Sequence, residues 1–201
     1  DSGVEALVLD GFAGNDTFNL QSPNAYPNGI TLSGGTASPG SDVANIWTSA
    51  VADAVTVDVL AETVSGLGGV VSLVGTEVLN LLTGGGPADA FVVDNLGVAS
   101  GVQAVNIAGN GLAADSLSVT ATAGPDAIDV TPTGSTSGVV QANGRTLLTF
   151  ASLGTSNLAG TFTVDGGGAT DAVTVHGSNA NDAIVVTRAS GATTVDVNAF
   201  K

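Results

Sequence analysis

Aspartates recur along this chain at one fixed offset. From Asp16 to Asp89 the numbering advances by 73, and it advances by the same 73 from Asp42 to Asp115 and from Asp53 to Asp126. Three markers that share one offset define an internal repeat, and a repeat of this kind constrains the fold more than any local propensity does. A third, shorter copy follows, because Asp171 answers Asp115 at an offset of 56 and Asp182 answers Asp126 at 56. The drop from 73 to 56 means that the third copy has lost a segment. The copies span roughly 4–75, 76–152 and 153–201, and the whole 1–201 reads as one continuous unit.

Within each copy the pattern is that of strands. β-branched residues fit a pleated surface and lose rotamer freedom in a helix. Period-2 runs such as Val4–Leu9, Ala54–Val59, Leu117–Val119, Ala172–Val175 and Thr194–Val197 predict half-buried strands. Asn28-Gly29, Asn110-Gly111 and Asn143-Gly144 accept positive φ and predict turns. Segments starting near Val4, Gly29, Ala52, Thr76, Gly101 and Pro125 each hold two such runs, at spacings of 25, 23, 24, 25 and 24.

A unit of about 24 residues cannot bury an apolar face alone and must stack on its neighbours. The predicted fold is all-β: a parallel β-helix, or β-solenoid, of 24-residue coils with the 73-residue super-repeat. With stacked coils about 4.8 Å apart, about eight of them would make a rod about 40 Å long. Tandem antiparallel β-sandwich domains, one to each long repeat, are the alternative, which explains the long period but not the short one.

Charge excludes several functions. Three basic residues (Arg145, Arg188, Lys201) against 18 acids give a net charge of −15. That balance cannot form a phosphate-binding stripe, so neither nucleic acid nor an anionic membrane is an expected partner. Without cysteine there is no disulfide, thiolate metal site or cysteine nucleophile. No apolar run approaches the length that spans a bilayer, so no membrane insertion is expected. Neither a signal-like segment nor an initiator Met opens the chain, and neither end carries a recognisable polar cap. The expectation is a mature product or a piece of a longer chain whose ends are covered by adjacent repeats or by other copies.

The phrase Gly11-Phe12-Ala13-Gly14-Asn15-Asp16-Thr17-Phe18 resembles the haemolysin-type calcium-binding repeat of secreted bacterial proteins. Gly166–Val173 and Ser178–Ile184 keep the Asp and the apolar residue but lose a glycine. That family repeats every nine residues, whereas here Asp171 and Asp182 are 11 apart and other copies about 24. The wider pattern of Asn-Asp-Thr-Phe and Asn-Asp-Ala-Ile phrases among Val-Thr strands is similar to repeat regions of large bacterial cell-surface proteins. The resemblance implies an extracellular structural or adhesive role.

The recurrent carboxylates are the candidate site. Asp16 with Asp42, and Asp89 with Asp115, are expected on adjacent coils, with Asp171 and Asp182 in the third copy. Carboxylates that close repel one another unless something bridges them, and calcium with oxygen ligands is the usual bridge. The plainer reading is that each Asp hydrogen-bonds backbone at a turn and starts a strand. Asn15-Asp16-Thr17 matches the N-glycosylation acceptor pattern. His176 reads as a strand-end surface residue, Trp47 as a packing residue or a glycan platform, and Phe18, Phe91, Phe150 and Phe162 as a core file.

The first expectation is therefore a non-catalytic subunit or segment of a bacterial surface fibre, filament or surface layer, stacking head to tail. A calcium-dependent adhesin or glycan-binding module is the second. An enzyme acting on acidic polysaccharide comes third, since a substrate of the same sign as this surface would be repelled.

Overall fold

The structure is a computed structural model that describes residues 4–21, 26–37, 41–154, 161–189 and 192–197. Lys201, named above, lies outside the described residues. Those described form strands and turns, with no helix among them and hence none long and apolar enough to cross a membrane.

The first repeat copy contains β1 (Leu7–Asp10), β2 (Ala13–Gly14), β3 (Thr17–Gln21), β4 (Ile30–Ser33), β5 (Thr36–Ala37), β6 (Val43–Trp47), β7 (Ala54–Asp58), β8 (Thr63–Ser65) and β9 (Val71–Val74). The second contains β10 (Val78–Leu82), β11 (Ala90–Asp94), β12 (Ala104–Ala108), β13 (Ser116–Thr120), β14 (Ala127–Gly134), β15 (Ser137–Ala142) and β16 (Leu147–Ala151). The third contains β17 (Thr161–Asp165), β18 (Ala172–Val175), β19 (Ile184–Ala189) and β20 (Ala192–Val197).

Two eight-stranded sheets dominate, ordered β1-β4-β9-β8-β7-β11-β13-β17 and β18-β14-β15-β16-β12-β10-β6-β3. Short pairs β2–β5 and β19–β20 complete the strands. Within the large sheets pairing is parallel except where β8 and β15 run against both neighbours. The chain passes from one large sheet to the other and back, so successive layers of one sheet are separated by a visit to its partner. Their inward residues, among them Leu32, Ile46, Leu79, Phe91 and Ile107, form one buried cluster. The outward residues mix Thr, Ser and Asn with apolar side chains such as Val43, Leu82 and Ala104, and buried and less buried positions alternate along most strands.

The long repeat has an unexpected consequence. β3, β6 and β7 precede β11, β13 and β14 at the repeat offset of 73, and every one of these partners lies in the opposite sheet. From β1 to β10 the chain crosses between the large sheets five times, an odd number, so the next copy begins on the other side. The first two copies each insert an antiparallel meander, β7–β8–β9 in one sheet and β14–β15–β16 in the other.

The expected 24-residue spacing does not hold layer by layer. Stacked strands are offset by 26 from Thr17 to Val43 and from Val78 to Ala104, but by 35 from Val43 to Val78 and by 45 from Ser116 to Thr161. The longer steps arise where a meander intervenes. The phenylalanines divide between the sheets. Phe91, Leu117 and Phe162 share a file on the first, and Phe162 stacks across the core on Phe150 of the second at 4.8 Å.

Candidate functional site

The recurrent aspartates sit where the backbone leaves a turn and starts a strand. There the chain bends away from the adjacent layer, and a backbone N–H would lose its acceptor. The carboxylate of the next layer supplies one. Asp16 N–H donates to Asp42 Oδ1 at 2.6 Å, and Asp89 N–H donates to Asp115 Oδ1 at 2.9 Å. Asp53 N–H donates to Asp89 Oδ1 at 2.9 Å, and Asp126 N–H to Asp171 Oδ1 at 3.0 Å. Asp42 N–H donates in turn to Glu77 Oε2 at 2.7 Å.

A second bond returns along each step. The residue after the capping acid donates its own N–H to the carbonyl of the capped one: Val43 to Asp16, Ala90 to Asp53, Ser116 to Asp89, Ala172 to Asp126. Side chain and backbone together clamp adjacent layers at the mouth of the strand. The result is two ladders, Asp16–Asp42–Glu77 ahead of the second sheet and Asp53–Asp89–Asp115 ahead of the first.

Asp53, Asp126 and Asp182 close their own turns too. Each accepts from the backbone N–H and hydroxyl of a Ser or Thr four residues earlier, namely Ser49, Thr122 and Ser178, at 2.7–3.0 Å.

Asp42 and Asp115 are fully buried, Asp89 nearly so, and Asp16, Asp171 and Asp182 are half-buried. Burial pushes the Asp89 carboxyl above the usual carboxylate range; the Asp53 N–H and Thr48 hydroxyl pull it back, and the Asp53 charge adds to the rise. Asp115 is raised for the same first reason, against the Asp89 N–H and with the Asp89 charge.

Oδ2 of Asp16, Asp42 and Asp115 is buried without a hydrogen-bond partner. These oxygens lie against glycines: a Cβ on Gly11, Gly34 or Gly109 would come within 2.5–2.7 Å of them. Close packing on a carboxylate therefore accounts for the glycine ahead of Asp16, Asp42 and Asp115. Among the described residues no three His, Cys, Asp or Glu side chains converge as a metal-ligand set.

A ladder of asparagines escaped sequence reasoning. Asn45 Nδ2 donates to Asn19 Oδ1, Asn80 Nδ2 to Asn45 Oδ1 and Asn106 Nδ2 to Asn80 Oδ1, at 2.7–2.9 Å. Its signal was available: an acidic residue or Gln three positions before each Asn, at Asp16, Asp42, Glu77 and Gln103. Asn15 is exposed beside β3. His176 is exposed and pairs with Asp129 at 3.0 Å, and Trp47 is half-buried at the end of β6.

A depression of about 390 Å³ is lined by Ser100, Gln103, Gln141, Arg145 and Thr146 among others. It adjoins the end of the Asp16–Asp42–Glu77 ladder, since Gln103 N–H donates to the Glu77 carbonyl at 2.8 Å. No family model, curated protein or solved structure matches the chain.

Proposed function

We propose that this chain is a structural, non-catalytic repeat protein of the bacterial cell exterior: a β-solenoid that serves as a subunit or segment of a fibre, filament or surface layer. Strands of successive copies pair with one another, which supports a continuous solenoid over tandem sandwiches closed on themselves. The observation that carries the function is the sheet exchange. The long repeat of 73 moves β3, β6 and β7 to the opposite sheet as β11, β13 and β14 while the parallel stacking direction is kept, a pattern that further copies could continue along one axis.

The described stack has β1 and β3 at one end and β17 and β18 at the other, each with a single partner strand in its large sheet. Parallel edges of this kind are templates for further pairing. Copies of the chain, or adjacent repeats of a longer one, are the partners this favours. Electron microscopy and sedimentation of the purified chain test it. End-to-end particles that lengthen with concentration are expected, and a monomer at every concentration overturns the stacking.

A calcium-dependent adhesin or glycan-binding module is the second reading. Its support is the orphaned Oδ2 of Asp42 and Asp115, buried oxygens with no donor. Calorimetric titration with Ca²⁺ and with glycans separates the two readings.

A further inference from the structure

The second sheet carries a row of acids at the mouths of its strands, and the row is broken at one place. The residue just before each strand is Asp16 for β3, Asp42 for β6, Glu77 for β10, Asp126 for β14 and Asp171 for β18. These strands run in one direction, with β12 and β16 between the two acidic groups. β12 and β16 are preceded instead by Gln103 and Thr146. Both of those residues line the depression of about 390 Å³, and so does Arg145. The row loses its acids where the chain places a cation.

That cation is not neutralised from within. Arg145 is exposed and makes no ion pair among the described residues, although the chain has 18 acids. The fold uses only its backbone: Arg145 N–H donates to the Ala142 carbonyl at 3.0 Å, and Gln141 Nε2 donates to the Arg145 carbonyl at 2.7 Å. These bonds close the turn at Asn143 and Gly144, both at positive φ, and leave the guanidinium free. The neighbouring acids are engaged elsewhere. Glu77 turns Oε2 back along its ladder to Asp42 N–H. Glu62 Oε1 accepts from Ser100 Oγ and Gly101 N–H, which fixes the loop that brings Val98 and Ser100 into the lining. The exposed Gln103 amide has no hydrogen-bond partner among the described residues.

We propose that this depression binds a small sugar acid, with its carboxylate on the Arg145 guanidinium and its hydroxyls on the amides of Gln103 and Gln141. A guanidinium presents a planar fork that meets a carboxylate with two parallel bonds. A side-chain amide both donates and accepts, as a hydroxyl does. Val98 and Leu147 add apolar surface for the C–H face of a ring. The volume falls in the range of small-ligand sites, about 300–1,000 Å³, and exceeds what a bare carboxylate fills. The net charge of −15 limits the ligand to one acid group. A single carboxylate meets the local cation, with more distant charges screened beyond about 8–10 Å, whereas a polyanion brings further groups against a surface of its own sign.

This inference rests on the glycan-binding reading and deepens it, and it needs neither stacking nor calcium. The test titrates glucuronate, glucose and acetate separately into the full chain, in EDTA and at about 0.15 M salt, and follows the side-chain signals of Arg145, Gln103 and Gln141 by NMR. Saturable shifts of these signals with glucuronate are expected, with glucose and acetate weaker by about tenfold or more. Arg145→Gln is expected to weaken glucuronate by about tenfold or more. Gln103→Glu restores the acid of the row and is expected to abolish binding. Both side chains are exposed, and unchanged backbone spectra of the variants show that the fold is intact. The site is overturned by absent saturation, by glucose or acetate matching glucuronate, or by either variant binding like the parent chain. Glucuronate that shifts signals elsewhere on the chain, or that binds only when Ca²⁺ replaces EDTA, sinks this site and leaves the glycan-binding reading. A chain that binds no glycan under either condition sinks both.

Discussion

Asp89 N–H is held by Asp115 Oδ1 at 2.9 Å, and one long repeat earlier Asp16 N–H is held by Asp42 Oδ1 at 2.6 Å. Both bonds span 26 residues of chain, yet one ladder stands ahead of the first sheet and the other ahead of the second. The repeat therefore keeps a layer-to-layer clamp while exchanging the sheet it serves.

Removing that clamp is costly because the donor is buried. Asp89 is 3% exposed, so Asp115→Ala leaves its N–H without water or protein acceptor. A loss of about 1–3 kcal/mol at pH 7 is expected in denaturant unfolding. Asp115→Asn keeps an acceptor at Oδ1 and is expected to lose less. Equal losses for the two variants would show that the carboxylate charge, not the capping bond, is what matters.

The same residue sets a pH dependence. Burial raises Asp89 and Asp115 above the ordinary value of 3.8. The folded chain then binds protons more tightly than the unfolded one, so stability falls as pH rises through the window above 3.8, and rises as pH is lowered through it. Thermal melts from pH 7 downward are expected to climb toward the acid side of this window, and the Asp115→Asn series to climb less. Parallel curves for the two proteins would refute the assignment to Asp115.

Much of this architecture is legible in the sequence. The long period, the strand character and the aspartate positions follow from Asp16, Asp42, Asp53 and their partners. The sheet exchange is not, because it depends on the parity of crossings, and β7–β8–β9 looks like ordinary alternation until its pairing is known. The Asp16–Asp42–Glu77 ladder was hidden by its own chemistry: Glu77 does an aspartate's work with a longer side chain and breaks the Asp pattern. The Asn ladder was hidden because its steps, 26, 35 and 26 residues from Asn19 to Asn106, follow layers rather than an even period.

Asn80 occupies the middle of that ladder, donating to Asn45 and accepting from Asn106. Asn80→Ala removes both bonds and is expected to cost about 1–2 kcal/mol, against about half that for the terminal Asn19→Ala. Asn80→Asp is expected to be worse at neutral pH, because a carboxylate then faces Asn45 Oδ1 with no proton between them. Chemical denaturation of the three variants checks the order, and equal losses at Asn19 and Asn80 would show that the amides do not act as a chain.

Glycine at the ladder is expected to be a steric requirement, not a metal-binding one. A Cβ on Gly109 would meet the Ser152 carbonyl and come 2.7 Å from Asp115 Oδ2, whereas one on Gly144, at φ 61°, meets nothing within 4 Å. Gly144→Ala bears only the left-handed backbone penalty of about 1–2 kcal/mol. Gly109→Ala must move backbone or the buried carboxylate, and is expected to cost about 1–3 kcal/mol and to disturb the Asp89–Asp115 bond. Melting both variants with Ca²⁺ and with EDTA separates packing from coordination. Under the packing account the Gly109 deficit is the same in both media and EDTA leaves the parent chain unchanged. A parent chain that loses stability on chelation, with the Gly109 variant insensitive to it, would place calcium at Asp115 instead.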